Sequence, residues 1–289
     1  MQNRKLVIVQ TPSPHGGFLG PGHVARAVVK DNFLETDPFI VLMDDMLDVP
    51  DGEPVGGPHP HAGFETVTLV LEGKLSDSSE GLSAGDFQMM TAGKGIIHTE
   101  SIAPRTRLRI LQLWLTLPKS ARWTTPRVQN LHFENVPKIA KDGLEIRVYS
   151  GSFGGISSPV LNYTPVIIAD IQLRSGVNTV QVIPAAYSTF LYVVEGSVEV
   201  GQEKKSLHQG QVGWLDKLSG DSQSELVLTG GKSGGRLILY SAQPQHDHIV
   251  SYGPFIGDRP QDIVRLYGEY QAGQMKHVSV LPEPQVMNY

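Results

Sequence analysis

Seven short runs of β-forming residues, each bounded by glycine, proline or polar turn residues, constrain this chain more than any other feature. They are PFIVLM (38–43), FETVTLVLEG (64–73), LRILQLWLTL (108–117), LEIRVYS (144–150), VIIADIQL (166–173), STFLYVVEGSVEV (188–200) and GRLILYS (235–241). Strands this short and this often punctuated close into a sandwich or a barrel, so the expected class is all-β. The 31 glycines and 20 prolines are spread between the runs as turn residues and do not gather in tracts. Helix signals are scarce, and the strongest lies near the C-terminus. There Asp258 can cap, Pro260 falls in the first turn, and Ile263, Val264, Tyr267 and Tyr270 make one apolar face before Gly273. That pattern predicts a short helix packed across a β domain.

The runs repeat. LVLEGKL…LSAGD (69–86) matches YVVEGSVEV…LHQGQ (192–211), with Gly73 answering Gly196 and Gly85 answering Gly210. Two copies of one β fold follow. A length of 289 residues accommodates two domains of about 100–150 each. The expected division is 1–133 and 134–289, with a linker in 128–143, where NVPKIAKDG is polar and holds proline and glycine.

The copies differ in histidine. Residues i, i+2 and i+4 of an extended chain share a face. His59, His61 and Glu65 in GGPHPHAGFET are therefore expected to point the same way, with Val67, Leu69 and Leu71 continuing that face. His98 and Glu100 in TAGKGIIHTE are a second pair two apart. If the two segments are neighbours in a barrel, three imidazoles and a carboxylate converge. Three nitrogens, an oxygen and no sulfur suit Fe(II), Mn, Ni, Cu(II) or Zn. Glu65 is then a further ligand or an orienting partner of an imidazole. The repeat offsets place Val182, Pro184, Ser188, Gln223 and Glu225 at the corresponding positions of the second copy, so a metal is expected only in the first. Gln112, a polar residue in a strand of Leu, Ile and Trp, reads either as satisfying a backbone group or as facing the metal cavity. Trp114 shares its face and either fills core or lines the same pocket. His246 and His248 read as solvated loop, and His15, His23, His132, His208 and His277 as structural.

A formal charge of −5 and a pI near 6.0 argue against direct binding to nucleic acid or to an anionic membrane, which need clustered basic charge. The absence of cysteine removes disulfides, thiolate nucleophiles and sulfur-rich metal sites, and suits a reducing cytoplasm. The N-terminal apolar run Leu6 to Val9 is too short for a signal peptide. LRILQLWLTL is broken by Arg109, Gln112 and Thr116, well short of the ~20 apolar residues of a spanning helix. The expected location is cytoplasmic.

Five stretches carry a resemblance: DPFIVLMDD (37–45), PHPHAGFETVTLVLEG (58–73), GDFQMMTAGKGIIHTE (85–100), LQLWLTL (111–117) and YGPFIGDRPQDIVRLYGEYQAGQM (252–275). In order and spacing they resemble the pirins, which are bicupins. The resemblance implies two tandem cupin domains, each a double-stranded β-helix or jelly roll, with a short C-terminal helix. It implies His59, His61, His98 and Glu100 as ligands of one divalent metal, Fe(II) first, in the N-terminal cupin. It further implies an enzyme of the quercetin 2,3-dioxygenase type, opening a flavonol or related enediol with dioxygen. Glu100 or Glu65 would take the hydroxyl proton, and Gln112 and Trp114 would line the substrate pocket. Some pirins are transcriptional coregulators, so the alternative is a redox-sensitive, metal-binding regulator that acts through a protein partner without touching nucleic acid. Two stretches depart from the family pattern. The return KLSDSSEGLSA (74–84) is short, and QPQHDHIV stands where an apolar segment is usual.

Overall fold

A computed structural model describes residues 1–30, 32–49, 54–77, 81–220 and 222–289. Residues 78–80 of the short return between Gly73 and Gly85 lie outside the described residues. The chain is mostly strand. All seven β runs form strands, five of them close to the expected bounds, while the 38–43 run extends to Phe39–Asp48 and the 235–241 run to Gln223–Ala242.

Two compact units result, and neither is a continuous half of the chain. One comprises Ser13–Asn135 and Gln245–Tyr289, the other Met1–Pro12 and Val136–Pro244. A single cut between 133 and 134 therefore does not describe the division. The reason is strand pairing at both termini. Leu6–Gln10 runs antiparallel to Val212–Leu215. Val286–Asn288 runs parallel to Arg127–Leu131. The expected linker is also largely ordered strand, since Arg127–Leu131 and Lys138–Lys141 each join the sheet of their own unit.

The first unit holds an eight-stranded sheet and a four-stranded sheet. At the centre of the larger one, Phe64–Glu72 pairs on one side with Phe87–Thr91 and on the other with Arg107–Thr116, which in turn pairs with Phe39–Asp48. The smaller sheet is built on the antiparallel pair Val55–His61 and Ile96–Ile102. A cluster of Leu47, Val70, Leu75, Leu82, Ile102, Leu108 and Ile110 joins the two sheets and removes its apolar surface from water. Burial of this kind stabilises by roughly 25 cal/mol per Å².

The helix forms at Pro260–Gln271. Its cap differs from expectation. Asp262 in the first turn accepts from the backbone N–H groups of Asp258 and Arg259, both at 3.1 Å, while the Asp258 carboxylate binds Arg122 instead. Its buried face is Ile263 and Leu266, with Tyr267 packed alongside, against Ala62, Phe255 and Met275. Val264 is 74% exposed and Tyr270 37%, so those two leave the expected apolar face.

The second unit is built on a ten-stranded sheet whose interior is packed with leucine, isoleucine and valine from Leu6 to Leu239. The sequence repeat is visible in its backbone. Gly85 N–H donates to Val70 O at 2.8 Å and Val70 N–H to Asp86 O at 3.1 Å. Gly210 N–H donates to Val193 O and Val193 N–H to Gln211 O at the same two distances. Gly73 and Gly196 both hold positive φ, +84° and +65°. A Cβ on either would collide with the carbonyl of a neighbouring strand, Arg107 or Gly234, so only glycine fits both turns.

Candidate metal centre

The PHPH segment ends the strand Val55–His61, and its partner strand carries IIHTE in fixed register. His59 lies opposite His98, His61 opposite Ile96, and Gly57 opposite Glu100. Residues directly opposite in an antiparallel pair share a face, as do residues two apart. His59, His61, His98 and Glu100 therefore fall on one face of the small sheet. The three imidazoles meet: ring centroids are 4.3 Å apart for His59–His98, 4.9 Å for His59–His61 and 5.0 Å for His61–His98. One ring nitrogen from each lies within 4.8 Å of the others. Glu100 Oε2 is 4.0 Å from His59 Nε2. The large sheet closes the other side. Phe64 and Trp114 stand edge-on to His61 at 5.3 Å each, and Gln112 Nε2 donates to Glu100 Oε1 at 3.0 Å.

The hydrogen bonding shows what the cluster is suited to hold. A carbonyl only accepts, so the 2.9 Å contact of His59 Nδ1 with Gly57 O places the proton on Nδ1 and leaves Nε2 with its lone pair. His61 is buried, hydrogen-bonds the Pro254 carbonyl, and has no partner at Nδ1. His98 is 2% exposed, with no hydrogen-bond partner at either nitrogen among the described residues. Buried polar atoms are normally paired, and three imidazole nitrogens in one cluster without a partner among the described residues fit a cation site. Burial, then the neighbouring His59, pushes His61 down to about 3. Burial, then His61, His59 and His277, holds His98 well below its ordinary value. Both are thus neutral imidazoles at physiological pH. Three imidazoles and a carboxylate form a borderline donor set suited to first-row divalent metals.

Glu65 does not join them. The strand that carries the histidines stops at His61, and the chain turns through Ala62 and Gly63, whose φ is +87°, before Phe64–Glu72 begins. The i, i+4 relation is broken there. Phe64 packs on His61 and Trp114, so Glu65 lies on the opposite face of its strand, with Val67 and Leu69. It is fully buried, accepts from Thr91 Oγ1 at 2.6 Å, and has no hydrogen-bond partner at Oε2 among the described residues. Burial raises it from 4.5 to about 7, against the opposing pull of Thr91 and Arg127. A raised carboxyl contributes stability that is complete below pH 4.5 and lost as pH rises through 7. Glu65→Gln removes the titrating group. Its stability relative to the parent, from urea unfolding, is expected to rise by on the order of 3 kcal/mol between pH 4.5 and pH 8. A pH-independent difference would contradict the assignment.

Two cavities adjoin the centre. One of about 630 Å³ is lined by His59, Glu100 and Gln112, and also by His23 and Asp45. The other, of about 970 Å³, is lined by Trp114, Phe33, Val41 and Met43 and shares Gln112, Asp45 and Phe18 with the first. Gln112 lines both cavities, while Trp114 lines the larger one, to which none of His59, His61 and His98 contributes. The pair His23–Asp45 was not legible from sequence. His23 sits in a glycine-rich segment that reads as structural, and its partner comes from a different strand. His246 and His248 are exposed in a loop, as expected. A third cavity, about 760 Å³, belongs to the other unit and is lined by Glu145, Arg174, Glu195 and Arg236, with no histidine. The offset positions of that unit, Val182, Pro184, Gln223 and Glu225, face one another across a strand pair that holds no imidazole.

Comparison with known proteins agrees with this geometry. The Pirin family profile matches residues 23–115, and that of the Pirin C-terminal cupin domain matches residues 168–276. A pirin-like protein of Solanum lycopersicum is 32% identical over 87% of this chain and 86% of its own length. Pirin of Homo sapiens is 32% identical over 83% of each. The crystal structure of a quercetin 2,3-dioxygenase from Acinetobacter baumannii superposes with a TM-score of 0.82, at 26% identity, over 94% of this chain and 98% of that one. The two β units are thus two cupins, and no helix among the described residues is long and apolar enough to cross a membrane. On profile, sequence and fold together, the chain is a bicupin that belongs to the pirin family.

Proposed function

We propose that this chain is a metal-dependent dioxygenase that opens flavonols or related enediols, with iron(II) as its metal. The observation that carries this reading is the three-imidazole cluster with Glu100 beside a cavity that Gln112 helps to wall, next to a second cavity that shares Gln112 and is lined by Trp114. Its likeness to a quercetin 2,3-dioxygenase over 94% of the chain supports the substrate class. His59, His61, His98 and Glu100 would hold the ion, which when bound supplies Lewis acidity toward adjacent substrate oxygens and redox access to dioxygen. The protein's own groups do the remainder. Neutral His61 and His98 keep their lone pairs turned inward without competition from protons. Glu100 is the one carboxylate of the cluster and takes the substrate's hydroxyl proton, a role Glu65 cannot fill from the far face of its strand. Gln112, donating to Glu100 Oε1, fixes the orientation of that carboxylate. Trp114, backed by the buried Phe64 ring at 4.5 Å, offers an aromatic wall to a flat substrate.

The test is oxygen uptake with quercetin by protein stripped and reloaded separately with iron, manganese, nickel, copper and zinc. Turnover confined to redox-active metals, and at least about 100-fold slower in Glu100→Ala, is expected. No uptake with any metal at one equivalent bound would contradict the enzyme and leave the regulator acting through a protein partner.

A further inference from the structure

Asp44 and Asp45 are adjacent on the strand Phe39–Asp48, and the strand period sends them to opposite faces. Asp44 is fully buried and held by both forks of Arg109, each at 2.9 Å, with Arg26 at 3.7 Å; it is a structural ion pair. Asp45 faces the barrel interior, opposite Ile110 and one pleat from Gln112, which pairs with Met43. It lines both cavities beside the metal centre.

His23 fixes its state. The Leu19 backbone N–H donates to His23 Nδ1 at 3.2 Å, so that nitrogen is an acceptor. The proton is then on Nε2, which donates to Asp45 Oδ1 at 2.8 Å. The ring is 4% exposed, and Gly17 rests against it so closely that any Cβ would collide. A histidine locked from three sides, accepting at Nδ1 and donating at Nε2, thus holds the Asp45 carboxylate in place as a hydrogen-bond acceptor. Around it the wall is largely apolar, with Leu19, Leu47, Ile102 and Ile110.

We propose that Asp45, positioned by His23, is a specificity residue that accepts a hydrogen bond from a hydroxyl of an aromatic ligand bound at the metal centre. The inference rests on the reading of that centre as one that takes a chelating enediol. Gln112 touches Glu100 at the metal end, and Asp45 is its diagonal neighbour on the next strand, roughly 7–8 Å on. A ligand anchored at the metal reaches Asp45 with its distal ring. An acceptor in apolar surroundings favours ligands that bring a donor and rejects those that leave it desolvated and unpaired.

The experiment is anaerobic titration of the metal-loaded protein with quercetin and with 3-hydroxyflavone, which keeps the chelating pair and lacks the other hydroxyls. Quercetin is expected to bind at least about tenfold more tightly. That ratio is expected to fall toward one in Asp45→Asn and Asp45→Ala, and part of the way in His23→Phe, with metal content unchanged. An unchanged ratio in the Asp45 variants, a ratio near one in the parent, or failure of either ligand to bind overturns the proposal. Oxygen uptake on the same samples separates the two readings. Selective binding without uptake removes the oxygenase and leaves the role of Asp45 standing.

Discussion

His61→Ala protein is expected to fold and yet to bind iron at least about 100-fold more weakly than the parent. Altering a partner that merely orients a ligand already costs about 10–100-fold in affinity, and this change deletes a proposed ligand outright. The fold survives because His61 contributes little to the metal-free protein. It is buried, neutral, and unpartnered at Nδ1, so removing it takes away an unsatisfied polar atom along with its packing on Phe64 and Trp114. Equilibrium dialysis followed by metal analysis reads the affinity, and near-ultraviolet circular dichroism reads the fold. A fully metallated His61→Ala protein would remove His61 from the ligand set.

Arg122→Ala is expected to cost about 3 kcal/mol of stability, or roughly 10 °C in melting temperature. Arg122 is fully buried. Its guanidinium meets Asp258 at 2.7 Å, the Gly63 carbonyl at 3.2 Å and Thr116 Oγ1 at 3.0 Å. One cation thereby ties the turn that follows His61 to the segment that leads into the C-terminal helix. Truncation leaves a carboxylate and a carbonyl without their donor, along with a cavity. Arg122→Lys recovers little, because one ammonium cannot span three acceptors set out for a planar fork. Urea unfolding of both variants checks the claim, and a loss below 1 kcal/mol would contradict it. Metal affinity should fall as well, since the same turn sets His61 against the Pro254 carbonyl.

What could be read in the sequence was local. The strands were legible because alternation and turn residues act over a few positions. His59 with His61 and His98 with Glu100 were legible because each pair is two apart on a strand, and the strands meet in register. Glu65 was misplaced by the same rule, because the Ala62–Gly63 turn reverses the count between His61 and Phe64. Nothing periodic announces a break of one turn inside an apolar run. The exchange of termini between the units was hidden for a different reason. The pairing of Leu6 with Leu215 and of Asn130 with Asn288 spans most of the chain and leaves no mark in either short segment. His23 and Asp45 are 22 residues apart and meet only because Ala25 and Asp45 are paired across neighbouring strands. Asp262, which caps the helix from its first turn, was obscured by Asp258 at the position where a cap is usual.

One metal held by His59, His61, His98 and Glu100 is the core of the proposed function. X-ray absorption at the metal edge of protein loaded with a single equivalent of iron tests it most directly. The predicted spectrum shows three imidazole nitrogens and carboxylate oxygen in the first shell, with one imidazole lost in His98→Ala. A first shell with fewer than three imidazoles, or one unchanged in His98→Ala, would contradict it.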